Sequence, residues 1–193
     1  MTLILSKKYN PLFESKARYF IITGGRGSGK SFAVTVFLTL LTMSRGIRVL
    51  FTRFTMTSAH LSIIPEFLEK IGLLGFDEAF NINKAEVVNA KNKSDILFRG
   101  IKTSAGNQTA SLKSLQGIST WVLDEAEELV DENIFDTIDL SIREKNIQNR
   151  VILILNPVTK EHWIYKRFFE EKGIEGGFNG VKDNVCYIHS TYL

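Results

Sequence analysis

Residues 24–31 read Gly-Gly-Arg-Gly-Ser-Gly-Lys-Ser, and they sit between a strand-like run and a helix-like run. The run before them, Arg18-Tyr19-Phe20-Ile21-Ile22-Thr23, is apolar, aromatic and β-branched, which suits a buried strand. The run after them, Phe32 to Leu41, suits a buried helix. The octapeptide fits G-x-x-x-x-G-K-[ST], with Gly24, Gly29, Lys30 and Ser31 on the fixed positions, in the strand–loop–helix setting that gives this pattern meaning. Gly46 then closes the helical segment, and Ile47 to Thr52 reads as a second strand. Strand, helix, strand is a βαβ unit, so the chain is an α/β protein with a parallel sheet.

The residue types explain what such a loop is for. Glycines let the backbone curl until successive N–H groups face one point, which makes a nest for an anion. A helix starting near Gly29 aims its positive end at the same point. Gly24, Gly25, Arg26, Gly27, Ser28, Gly29, Lys30 and Ser31 are thus expected to cradle a nucleotide's phosphates. Lys30 reaches the β- and γ-phosphates, and the Ser31 hydroxyl joins a Mg²⁺ shell built from oxygen ligands and water. ATP with Mg²⁺ is the expected ligand.

A chain of 193 residues buries a sizeable core as one large domain, and residues 1–17, broken by Asn10-Pro11, read as an arm on it. No apolar run approaches the roughly 20 residues a membrane helix needs, and the first six residues lack the basic start of a signal peptide. Cys186 is the single cysteine, which excludes an internal disulfide and cysteine-based zinc sites. A cytoplasmic protein is expected. Net charge is +3 but unevenly spread: residues 1–53 hold nine Lys or Arg and one acid, Glu14. Phosphate binding accounts for part of that excess; the remainder is either a patch for a nucleic-acid backbone or a scattered solvated surface.

Along the arm, Tyr9, Pro11 and Phe13 either cover a base or dock the arm, with docking favoured. Arg53 falls at the carboxyl end of the second strand, where it faces substrate or phosphate or caps the loop. Ser58 to Ile71 reads as a helix with Leu61, Ile64, Leu68 and Ile71 inward, and Pro65 either kinks it or marks its true start. Residues 72–84 read as irregular. Glu86–Asn89 and Asp95–Arg99 read as a hairpin, so the sheet is not purely parallel. Residues 103–109 read as a mobile loop.

A second constellation lies far downstream. Thr120-Trp121-Val122-Leu123 is a short apolar run ending in Asp124-Glu125. A strand that delivers two adjacent carboxylates is what a P-loop hydrolase requires: Asp124 holds Mg²⁺, and Glu125 polarises the attacking water. Glu127 and Glu128 read as solvated. Asp131 caps a helix running to about Arg143, with Ile134, Phe135, Ile138 and Ile142 inward. Val151 to Leu155 is a third central strand, ending at Asn156-Pro157. Asn156 either senses the γ-phosphate or its water, or holds the turn. Thr159 caps a helix from Glu161 to Glu171 with Trp163, Ile164 and Phe168 inward. Gly173 to Gly180 reads as flexible, and Asn184 to Thr191 as a last strand. His60, His162 and His189 read as structural, since none has a partner at metal spacing.

With these residues assembled, the chain resembles the ATPase domain of the large terminase subunit of tailed bacteriophages. The likeness rests on Gly24–Ser31 with Arg26 inside the loop, Val122-Leu123-Asp124-Glu125-Ala126, and Leu153-Ile154-Leu155-Asn156-Pro157. It rests also on His162-Trp163-Ile164-Tyr165 with Phe168-Phe169, and on Ser190-Thr191-Tyr192-Leu193. The resemblance implies a P-loop NTPase fold of the ASCE type, with a mainly parallel central sheet flanked by helices. It implies that Arg26 contacts phosphate, that Glu125 is the catalytic base and that Asn156 belongs to a coupling motif. It implies a ring of identical subunits that hydrolyses ATP to move double-stranded DNA into a procapsid, working with the portal and the small terminase subunit in the cytoplasm of the infected host. It also implies a C-terminal nuclease domain beginning about where residue 193 stands. One departure concerns the trans-acting arginine of the family. Residues 101–120 hold Lys102 and Lys113 but no arginine, which leaves Arg99, Arg143 or Lys113 for that role. A helicase-like or DNA-repair ATPase, and an ATP-gated protein-binding module, are the competing readings; the Asp124-Glu125 pair weighs against the second.

Overall fold

In a computed structural model, residues 3–56, 61, 63–103, 106, 107, 109, 112 and 114–191 are described. A ten-stranded sheet forms the frame. Its strands are β1 (Tyr19–Gly24), β2 (Arg48–Thr55), β3 (Phe80–Ile82), β4 (Glu86–Asn89), β5 (Asp95–Thr103), β6 (Gly106–Asn107), β7 (Thr120–Asp124), β8 (Arg150–Leu155), β9 (Gly180–Lys182) and β10 (Val185–Ser190). The order is β3-β4-β5-β2-β7-β8-β1-β10-β9, with β6 against β5. The run β5-β2-β7-β8-β1-β10 is parallel throughout. Antiparallel pairing is confined to β3, β4, β6 and β9.

The central strands are buried on both faces, and their residues divide by alternation. Phe20, Ile22, Val49, Phe51, Val122, Ile152, Ile154 and Ile188 pack on one side, against α2 (Lys30–Leu41) and α3 (Ile63–Leu73). Ile21, Leu50, Trp121, Leu123, Val151, Leu153 and Tyr187 pack on the other, against α4 (Glu132–Asp139) and the segment from Trp163 to Phe169. Helices therefore cover both faces, as the βαβ pattern requires.

The arm is docked. It forms a short turn at Lys7–Tyr9 and α1 (Pro11–Glu14), with Tyr9 and Leu12 buried. The Phe13 ring meets Phe37 of α2 edge-on at 5.2 Å.

Several expected boundaries move. Pro65 is the third residue of α3, so it marks a start and not a kink, as its fixed φ favours in a first turn. The inward face is consequently Ile63, Ile64, Phe67 and Ile71, whereas Leu61 and Leu68 are exposed. Residues 58–60 and 62 of the expected helix lie outside the described residues. Within the stretch read as a mobile loop, Thr103 ends β5 and Gly106–Asn107 form β6, while residues 104, 105 and 108 lie outside the described residues. The helix begun by Asp131 ends at Asp139, short of Arg143. There the chain tightens, with Ser141 and Ile142 N–H groups bonding three residues back, and the Arg18 guanidinium takes the carbonyls of Asp139 and Ile142. The expected helix from Glu161 to Glu171 is instead α5 (Trp163–Tyr165), capped by His162 and not by Thr159, running into a π-helical turn at Lys166–Glu170. β3, within the stretch read as irregular, and β9, which starts at the end of the stretch read as flexible, add edge strands.

Candidate functional site

Four strand ends meet at one edge of the sheet. β1 delivers Gly24, β2 delivers Arg53, β7 delivers Asp124 and β8 delivers Asn156. A cleft of about 550 Å³ lies there, lined by residues 26–32, Arg53, Asp124, Glu125, Glu127, Glu128 and residues 154–156. This is the carboxyl edge of the parallel strands, where open α/β sheets hold their ligands. Thus Arg26, Gly27, Ser28, Gly29, Lys30, Ser31, Asp124, Glu125 and Asn156, spread over more than half the sequence, share one cavity.

The loop's shape depends on two glycines. Gly24 has φ +152, and a Cβ there would stand 2.0 Å from the Ser190 carbonyl oxygen, so only glycine lets β1 and β10 approach so closely. Gly29 precedes α2 in the left-handed region at φ +83. The Ser28 carbonyl is held from two sides: the Tyr9 hydroxyl donates to it at 3.1 Å and the Ser190 hydroxyl at 2.6 Å. Tyr9 is thereby a docking residue.

Lys30 is buried under the loop. Its Nζ donates to the carbonyls of Gly24 at 2.6 Å and Gly25 at 2.8 Å, and lies 3.5 Å from Asn156 Oδ1. Burial pushes its pKa down, while the carboxylates of Glu127 and Asp124 oppose that shift. Arg26 and Gly25 are exposed, and Ser31 is half-buried.

Asp124 is almost wholly buried, and Arg53 grips it. The Arg53 Nε and Nη2 both donate to Asp124 Oδ2, at 2.8 and 2.7 Å. Arg53 thus faces the Asp124 carboxylate, a pairing that strand position alone does not announce. Glu125 is a non-glycine residue in the left-handed region, at φ 52 and ψ 46. That conformation costs an L-residue about 1 kcal/mol or more. It swings the side chain out of line with β7, leaving it 46% exposed and 3.7 Å from Arg53 Nε. Partial burial raises the Glu125 pKa, and Arg53 opposes the rise.

Glu127 corrects the expectation that it is solvated. Asn156 Nδ2 donates to Glu127 Oε1 at 2.6 Å, and Glu127 Oε2 is buried with no hydrogen-bond partner among the described residues. The His162 ring bonds the Glu127 carbonyl at 3.1 Å through Nε2 while its Nδ1 accepts from the Ile164 N–H. A tight turn at residues 126–128, directly after Glu125, folds Glu127 back under the strand edge. Spacing alone carries no signal for that reversal.

The arginines weighed for trans action lie away from the cleft. Arg99 Nη1 donates to the carbonyls of Phe98 and Ala85. Arg143 is exposed and lines a second cavity with Ser114–Ile118, at the amino edge of the sheet. Lys113 and His60 lie outside the described residues. His189 is bonded to the Thr23 hydroxyl at 2.9 Å. Among the described residues no three His, Cys, Asp or Glu side chains converge to hold a metal by themselves, and no helix is long and apolar enough to cross a membrane.

The family model for the phage terminase large subunit matches residues 16–193. The chain belongs to that family. The large terminase subunit of Bacillus phage SPP1 is 24% identical to this terminase chain over 209 residues, which cover 98% of the chain and 46% of the relative. In fold it is similar to the large terminase of a thermophilic bacteriophage, at a TM-score of 0.73 and 12% identity, over 98% of this chain and 46% of that one. Structures of that thermophilic-phage protein include complexes with ADP and with ATP-gamma-S. The N-terminal domain of the DNA packaging ATPase from bacteriophage phi29 is also similar, at a TM-score of 0.69 and 17% identity, covering 95% of this chain and 96% of that domain. The architecture is the P-loop ASCE fold shared by these domains, with its mostly parallel sheet between helices. The terminase chain spans about half the length of the SPP1 and thermophilic-phage proteins.

Proposed function

We propose that this terminase domain binds and hydrolyses ATP in the cleft at the carboxyl edge of its sheet and serves as the motor that packages viral DNA. The observation that carries the reading is the meeting of Lys30 with Asp124 and Glu125 in one cavity. In this reading the amides of Gly24–Ser31 and the start of α2 receive the phosphates. Lys30 turns from the Gly24 and Gly25 carbonyls to the β- and γ-phosphates, and exposed Arg26 closes over them. Ser31 and Asp124 supply the hard oxygen donors that suit Mg²⁺, an ion that binds through one or two protein oxygens together with phosphate and keeps several waters. Bound there, Mg²⁺ would neutralise charge on the phosphates.

Glu125, turned into the cleft, orients the attacking water. Asn156, between Lys30 and Glu127, registers whether the γ-phosphate is present. A neighbouring subunit in a ring supplies the trans-acting arginine. Of the two arginines weighed, Arg143 presents an exposed guanidinium, whereas Arg99 is tied to backbone carbonyls. Hydrolysis around the ring moves double-stranded DNA into a procapsid, in contact with the portal and the small terminase subunit, within the infected cell. Family membership, the nucleotide complexes of the thermophilic-phage protein and the packaging role printed for the phi29 domain support this reading.

Phosphate release and nucleotide binding test it together. Lys30→Ala is expected to lose both ATP-gamma-S binding and turnover. Glu125→Ala is expected to keep binding and lose turnover by on the order of 10²-fold or more. Full turnover in Glu125→Ala refutes the assigned base.

A further inference from the structure

Two cations have a claim on Asp124: the guanidinium that grips it and the divalent ion that the proposed nucleotide site requires. The Arg53 fork places both of its donors on a single oxygen, Oδ2, at 2.8 and 2.7 Å. The pair is sheltered, with side-chain exposures of 23% for Arg53 and 5% for Asp124. In such a setting charge-assisted bonds are strong, and a second positive group cannot join without repulsion. Arg53 therefore has to yield as the ion arrives, and it needs somewhere to go.

A second carboxylate adjoins it: Glu125 Oε2 is 3.7 Å from Arg53 Nε.

We propose that Arg53 is a positioning residue that competes with the divalent ion for Asp124 and releases that carboxylate when the metal–nucleotide enters. Metal-free nucleotide leaves Arg53 on Asp124. The inference rests on the nucleotide-site reading above and names its regulation.

The test is a binding ratio. The Kd of ATP-gamma-S is measured with EDTA and with Mg²⁺, and the first is divided by the second. Loss of a cation weakens binding of a polyanion in both conditions, so the ratio isolates competition with the metal. In Arg53→Gln the ratio is expected to rise roughly tenfold, the scale of one charge-assisted hydrogen bond. An unchanged or lower ratio in Arg53→Gln shows that Arg53 serves the phosphates directly and overturns the inference. Absence of ATP-gamma-S binding by wild type in both conditions overturns the nucleotide-site reading and the inference with it. Wild-type binding with an unmoved ratio in Arg53→Gln overturns the inference alone.

Discussion

The Asn156 amide and the Glu127 carboxylate are joined at 2.6 Å, which ties the end of β8 to the acidic turn after β7. The second oxygen of that carboxylate is buried without a partner among the described residues. Glu127→Ala is expected to release Asn156 and leave its amide unpaired, lowering stability by about 1–3 kcal/mol in urea unfolding. ATP turnover is expected to fall by at least roughly tenfold, while ATP-gamma-S binding holds within a few-fold. Unchanged stability and turnover show that the contact is incidental.

The acid side of the rate profile depends on Glu125. Burial raises its pKa, and Arg53 holds the rise in check. A general base works only when deprotonated, so activity is lost as pH falls through the raised value. The acid limb of kcat/KM, which reports the free enzyme, is expected above the ordinary carboxylate value of 4.5. Arg53→Gln, by removing the restraining cation, is expected to move that limb to higher pH. A limb that stays in place assigns it to another group.

Alkaline stability depends on β10. Burial pushes the Cys186 thiol from 9.0 to about 11 and, with help from Asp183, the Tyr187 phenol from 10.0 to about 12. Both groups keep their protons longer in the folded chain than in the unfolded one. Their contribution is therefore complete below pH 9 and is lost as pH rises through about 11 to 12. Urea midpoints are expected to decline from about pH 9 upward, and in Cys186→Ala the decline is expected to begin nearer pH 10. A flat profile to pH 12 contradicts the burial of both groups.

Much of the frame was legible because the central strands are short apolar runs punctuated by chemistry-bearing residues. Residues 18–23, 47–52, 120–123 and 151–155 each fall on an observed strand to within a few residues. Their polar ends, Gly24, Arg53, Asp124-Glu125 and Asn156, meet in one cleft because parallel strands present their carboxyl ends at a common edge. What escaped the sequence depends on tertiary contacts. The Arg53 fork and the folded-back Glu127 are side-chain pairings between distant segments, and no local pattern encodes them. The edge strands β3 and β9 are three residues each, too short to show alternation. The helix after Asp131 ends at Asp139, whose carbonyl is taken by Arg18, more than a hundred residues upstream.

The Ser28 carbonyl accepts one hydroxyl from an early residue, Tyr9, and one from a late residue, Ser190. The strand that leads into this loop, β1, lies between two partners that are both made late, β8 and β10. A nascent polypeptide emerging from the ribosome therefore carries the complete glycine-rich segment long before it has either neighbour for that strand. The loop gains its final geometry only once Ser190 has emerged and joined it.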